Sequence, residues 1–117
     1  MKKEGCICPV EHAQTAKKAQ ESMLLGEELE RVCNLFRVLS EPSRLKIVMA
    51  LLQGEMCVLH IAESVNGAQS AVSHQLRVLK DNGVVKSRRE GQNIWYSLAD
   101  GHIIQIIQIA AEHSACI

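Results

Sequence analysis

Residues 68–80 read AQSAVSHQLRVLK. At 100° per residue, Val72, Leu76 and Leu79 fall on one face, while Gln69, Ser70, Ser73, His74, Gln75 and Arg77 occupy the rest of the cylinder. The spacing predicts an amphipathic helix whose outer face is short, polar and neutral to basic, with no acidic residue before Asp81. Side chains of that kind can lie against phosphates and base edges. The alternative is a solvated helix that is low in acid by chance.

Immediately upstream, Asn66-Gly67 is a turn dipeptide, and Glu55 to Val65 places Met56, Val58, Leu59, Ile61, Ala62 and Val65 at helical spacing. Two short helices joined by a tight Gly-containing turn, the second polar and basic outside, outline a helix-turn-helix. Further upstream, Leu45, Val48, Leu51 and Leu52 give another short helix a buried side. Ser40 or Glu41 caps it, Pro42 suits its first turn and Gly54 ends it. A longer helix precedes it, with Leu25, Leu29, Val32, Cys33, Phe36 and Leu39 as the apolar stripe. Residues 1–20 are polar, mixed in charge and punctuated by Gly5 and Pro9, the composition of a flexible N-terminal arm, so residues 21–117 are read as the folded domain.

Downstream the period changes. Val84 to Arg89 and Asn93 to Leu98 alternate, and Glu90-Gly91-Gln92 supplies the turn of a hairpin. Its tip carries Lys86, Arg88 and Arg89, which suit a wing lying on phosphate or in a minor groove. The last segment, Asp100 to Ile117, is close to apolar all round through Ile103, Ile104, Ile106, Ile107, Ile109, Ala110 and Ala111. So wide an apolar surface exceeds what a small domain covers internally, and it predicts packing against a second copy in a two-fold homodimer.

Composition is consistent with this outline. The 117 residues balance at zero net charge, which by itself argues against an obligate nucleic-acid binder. The distribution is uneven, however: residues 69–96 hold Arg77, Lys80, Lys86, Arg88 and Arg89 against Asp81 and Glu90. Aromatic residues are 3% of the chain, so the core must be aliphatic. No apolar run has the length of a membrane span and the N-terminus lacks a signal-peptide core, so a cytoplasmic protein without membrane partners is expected. Five cysteines in such a chain should be reduced, which directs attention to thiolate chemistry or metal ligation.

The segments LSEPSRLKIVMALL, EMCVLHIAE, SAVSHQLRVLKDNGVV, RREGQNIWYSL and DGHI, running from about Leu39 to the C-terminus, resemble the ArsR/SmtB family of metal-sensing winged-helix repressors. The resemblance implies a mainly α (α+β) winged helix-turn-helix with about five helices and a two-stranded wing before the C-terminal helix. It also implies a homodimer that blocks a palindromic operator and leaves it when an inducing ion binds. Ala68 departs from the Ser or Thr that relatives often place at the start of the recognition helix.

Two ligand sets resemble family sites. Asp100 and His102 stand at one end of the C-terminal helix, and His113 and Cys116 stand at the other. Eleven residues separate the two histidines, about 16 Å of helical rise, so antiparallel pairing of two copies is needed to bring the four together. Cys116 stands where relatives usually have a carboxylate or His. The separate alternatives are an N-cap for Asp100, surface histidines and a loose terminal thiol. The second set joins Cys57 and His60 to the arm residues Cys8, His12 and Cys6, in the manner of the family's site between the arm of one protomer and its partner.

Carboxylate, imidazole and thiolate in a four-ligand set suit zinc(II) or cobalt(II), and two or three thiolates in the arm set would also take cadmium(II), lead(II) or copper(I). Zinc is the first choice as inducer. A closed site with no open position and no nearby general base argues against an enzyme. The rival readings are a thiol switch, with Cys8 or Cys6 pairing with Cys57 under oxidant or sulfide, and a cytosolic metal buffer or chaperone.

Overall fold

A computed structural model of the chain describes residue 7 and residues 9–116. Its elements are α1 (Val10–Glu21), α2 (Gly26–Leu39), α3 (Pro42–Leu51), α4 (Val58–Val65), α5 (Gln69–Asp81), β1 (Val85–Glu90), β2 (Asn93–Leu98) and α6 (Gly101–Ala115). They fall into two compact units, Met1–Arg31 and Val32–Ile117.

The first unit differs from the sequence expectation. Within the stretch read as an arm without regular structure, Val10–Glu21 is helical, so six helices are present among the described residues rather than about five. The helix has no buried residue and hence no apolar stripe to betray it. It follows from residue preference instead: Ala13, Ala16, Lys17, Lys18, Ala19, Gln20 and Glu21 are good helix formers, and Pro9 precedes the first turn.

In the second unit the core is aliphatic, as the composition requires. Ile47, Val48 and Leu51 of α3, Ile61 and Ala62 of α4, and Val72, Leu76 and Leu79 of α5 are buried together. Val84, Val85 and Leu98 at the root of the hairpin and Ile103 and Ile107 of α6 close the same cluster. Helix α3 begins at Pro42, and the Glu41 side chain accepts hydrogen bonds from the Ser43 and Arg44 backbone N–H groups. Helix α4 ends at Asn66 in the left-handed conformation (φ 55°), and the Gly67 N–H reaches back to the Ala62 carbonyl at 2.9 Å.

Strands β1 and β2 pair antiparallel from Val85↔Leu98 to Glu90↔Asn93, leaving Gly91-Gln92 as a two-residue turn. Gly91 takes φ +63°, the sign that the first turn position requires, where a side chain would be strained. Met56, read from the sequence as part of a helix, instead forms a two-way backbone bridge to Tyr96, at 3.0 and 2.8 Å, and extends the wing by one rung.

Two predicted apolar stripes are only partly covered. Of the α2 set, Leu39 is buried, but Leu29, Val32, Cys33 and Phe36 are exposed, as is Leu25 just before the helix; Val38 and the half-buried Leu35 face the core instead. On α6, Ile103 and Ile107 point inward, while Ile104 and Ile109 are exposed. Among the described residues no helix is long and apolar enough to cross a membrane.

Leu76, fully buried at the centre of α5, gives a direct test of the packing. Leu76→Ala should cost about 2–5 kcal/mol of unfolding free energy in urea titration; a loss well below 1 kcal/mol would contradict the packing described.

Candidate functional site

Helix α5 is anchored by Val72, Leu76 and Leu79, which leaves Gln69, Ser70, Ser73, His74 and Arg77 exposed on its outer side. It starts after Ala68, whose backbone is extended and whose side chain offers no cap. The turn before it is compact: a Cβ on Gly67 would stand 3.4 Å from Val65 Cγ2 and 3.5 Å from Val72 Cγ2. Between α5 and β2 lies an open cleft of about 610 Å³ whose lining includes Ser73, His74, Arg77, Lys80 and Tyr96. From the sequence, Lys80 counts only toward the local basic surplus, and neither it nor Tyr96 is named as a contact residue. Lys80 could have been, because it follows Arg77 by three residues and so shares its helix face.

Gln75 has a different place from the one expected. It is half-buried, its amide donates to Ser43 Oγ at 3.2 Å, and its carbonyl accepts from the Arg44 guanidinium at 3.4 Å. Arg44 also donates to the Val38 carbonyl at 2.8 Å, and Ser43 Oγ hydrogen-bonds Glu41. Gln75 therefore ties α5 to the start of α3 instead of projecting toward a base.

The wing cations also divide. Strand alternation puts Lys86 and Arg88 on one face, and Ser87 and Arg89 on the face shared with Tyr96, which lines the cleft. Arg88 is not free: its guanidinium meets Glu55 at 2.5 and 3.0 Å and Glu90 at 2.5 Å, and it lies 5.7 Å from the centre of the Trp95 ring. The Arg88 hydrogen bonds hold the Glu55 carboxyl below its ordinary range, with further help from the Lys86 charge, while the two carboxylates push Arg88 up. Arg89 makes one weak bond, to the Gly91 carbonyl at 3.3 Å.

The candidate metal ligands lie where chelation is feasible. Asp100 caps α6 by accepting the His102 backbone N–H at 2.9 Å, and its Oδ1 stands 3.3 Å from His102 Nδ1. Ligands about 2.0–2.1 Å from a tetrahedral ion are about 3.3 Å apart, the same separation as in this contacting pair. Desolvation pushes the Asp100 carboxyl up, but the N–H groups of His102 and Ile103 and the His102 ring outweigh it, and the net direction is down. His113 and Cys116 are exposed at the other end of α6.

Cys57 Sγ lies 3.4 Å from His60 Nδ1. A thiolate and an imidazole sharing a tetrahedral zinc ion would be about 3.5 Å apart. His12 is exposed on α1, while Cys6 and Cys8 lie outside the described residues. Among the described residues of one chain, no three His, Cys, Asp or Glu side chains converge.

Residues 41–87 match the profile of bacterial regulatory proteins of the arsR family. The chain is 36% identical to a transcriptional repressor SmtB homolog of Synechocystis over 92% of its own length and 82% of the relative's. It is 33% identical to a cadmium resistance transcriptional regulatory protein CadC homolog of Staphylococcus aureus, covering 97% and 93%. Its fold superposes with a TM-score of 0.68 on the homodimeric winged helix-turn-helix DNA-binding domain of a possible ArsR-family regulator of Mycobacterium bovis, at 30% identity, covering 74% of this chain and 83% of that one.

Glu41, which closes the α3–α5 contact through Ser43, gives a pH prediction. Its carboxyl is held below the ordinary value of 4.5, first by the Ser43 hydroxyl and then by backbone N–H groups. Its stabilising contribution is therefore complete above that value and disappears as pH falls through the lower folded value. In melting curves the deficit of Glu41→Gln should be largest near pH 7 and shrink toward pH 3; a deficit independent of pH would refute the assignment.

Proposed function

Because this chain belongs to the arsR family of bacterial regulatory proteins, we propose that it is a metal-responsive repressor: a cytoplasmic homodimer that occupies a palindromic operator and releases it on binding zinc(II) or a related ion. The observation that carries the reading is the arrangement of α6, with Asp100 Oδ1 3.3 Å from His102 Nδ1 at its start and His113 and Cys116 exposed at its end. Two antiparallel copies would bring opposite ends together, and the exposed Ile104 and Ile109 give the second copy an apolar surface to cover. The homodimeric state of the Mycobacterium bovis domain supports pairing of two copies.

Zinc would supply a tetrahedral cross-link between the two helices. Asp100 is preorganised for that role, since its cap bond fixes the carboxylate beside the His102 ring. Cys57 and His60, with Cys6, Cys8 and His12 of the arm, form the second candidate set, in which thiolate character also suits cadmium(II), lead(II) or copper(I), and cobalt(II) shares the zinc geometry. The relation to a cadmium resistance regulator agrees with a thiolate-rich second set.

On DNA, the exposed Gln69, Ser70, Ser73, His74 and Arg77 would meet the major groove, and the exposed Lys80, Lys86 and Arg89 would meet phosphates. A cross-linked α6 pair holds the two recognition helices at a fixed separation, which no longer suits half-sites one helical turn apart. Couplings of this type are about 1–3 kcal/mol, a 5- to 150-fold loss of affinity.

The test is an anisotropy titration with a labelled duplex selected by the wild-type protein from a randomised pool. Zinc should weaken the wild-type complex, and His113→Ala should abolish the response if the α6 set is regulatory, or Cys57→Ala if the second set is. An unchanged zinc response in both variants would remove both assignments. Induction by oxidant or sulfide that persists without His102 and His113 would favour a thiol switch.

A further inference from the structure

The root of the wing is buried through Val85 and Leu98, but Glu90, Asn93 and Ile94 are exposed, and the ladder is six residues long. A two-stranded ribbon of that size is marginally stable by itself, and the two backbone bonds between Met56 and Tyr96 join it to the preceding segment at one point. Among the described residues, the Glu55–Arg88 contact is the one side-chain hydrogen-bonded tie between the strands and the rest of the fold. It is bidentate, it lies on the face opposite Tyr96, and Arg88 sits over the ring of Trp95, its cross-strand partner, 5.7 Å from the ring centre.

We infer that Glu55 and Arg88 are positioning residues for operator binding, a strut that fixes the wing's angle to the segment carrying Cys57, and that Arg88 touches no phosphate. The inference rests on the reading of the chain as an operator-binding protein. Charge supports it. Arg88 is flanked by two carboxylates, Glu55 and Glu90, so moving it to a phosphate would take from both their hydrogen-bonded cation and leave them facing the polyanion. Arg89, on the other face and held only weakly, is free to take that contact.

The strut also defines what the second candidate metal set is joined to. Met56, bridged in both directions to Tyr96, stands between Glu55 and Cys57, and Cys57 is the residue at which α4 begins. A displacement of Cys57 therefore acts on the wing through two adjacent residues, one by backbone pairing and one by the ion pair. That route is local to one protomer and does not pass through α6.

The test uses the metal-free full-length protein and the labelled duplex selected from the randomised pool, with dissociation constants measured over a range of salt. Arg88→Gln and Glu55→Gln should each weaken binding about fivefold or more, and the double variant should be no weaker than the worse single one. The salt slope should stay at the wild-type value in all three, whereas Arg89→Gln should flatten it by about 0.9. Arg88→Lys keeps the charge but loses the fork, and should behave like Arg88→Gln.

A flattened slope in Arg88→Gln, wild-type affinity in Arg88→Lys, or tighter binding by Glu55→Gln would overturn the inference while leaving the operator reading intact. Failure of the wild-type protein to select any duplex would overturn both.

Discussion

Three aliphatic side chains on one helix carry the rest of the molecule. Val72, Leu76 and Leu79 seal α5 against α3, α4 and the root of the wing, and each is at most 4% exposed. Because they occupy one stripe, everything else on α5 is free to be polar. That division lets the helix be both the centre of the core and the surface offered to a duplex. It also explains why the outer face can do without acidic residues: solubility of this segment comes from Ser, Gln, His, Arg and Lys, and no carboxylate precedes Asp81.

Much of this was legible because it rests on period and punctuation. Pro42, Asn66-Gly67 and Gly91 mark boundaries through backbone geometry that few other residues adopt, and the switch from helical spacing to alternation after Gly83 located the hairpin. The missed features lack such a signal. Helix α1 has no buried side and forms on residue preference alone. Glu55 and Arg88 are 33 residues apart and Gln75 and Ser43 are 32 apart, so charge or polarity in sequence could not show that each was already committed to a partner. The apolar stripe on α2 was read as core, but the fold leaves Val32 and Phe36 uncovered.

The candidate ligands show the same limit from another side. Residue type and spacing picked out Asp100, His102, Cys57 and His60, and the structure brings each pair into contact, at 3.3 and 3.4 Å. What spacing could not supply is the other half of each set, because it depends on a second chain or on a part of the arm that lies far along the sequence. Local contacts of this kind are legible, whereas partners from a second chain or from distant parts of the same chain are not.

The near absence of aromatic residues has an optical consequence. The chain has a single tryptophan, and it sits in the wing beneath a guanidinium, while the packed interior is built from aliphatic side chains. Indole emission from this molecule consequently reports the posture of one hairpin rather than the integrity of the helical body, and the two can be followed separately, the hairpin by fluorescence and the helices by far-ultraviolet dichroism.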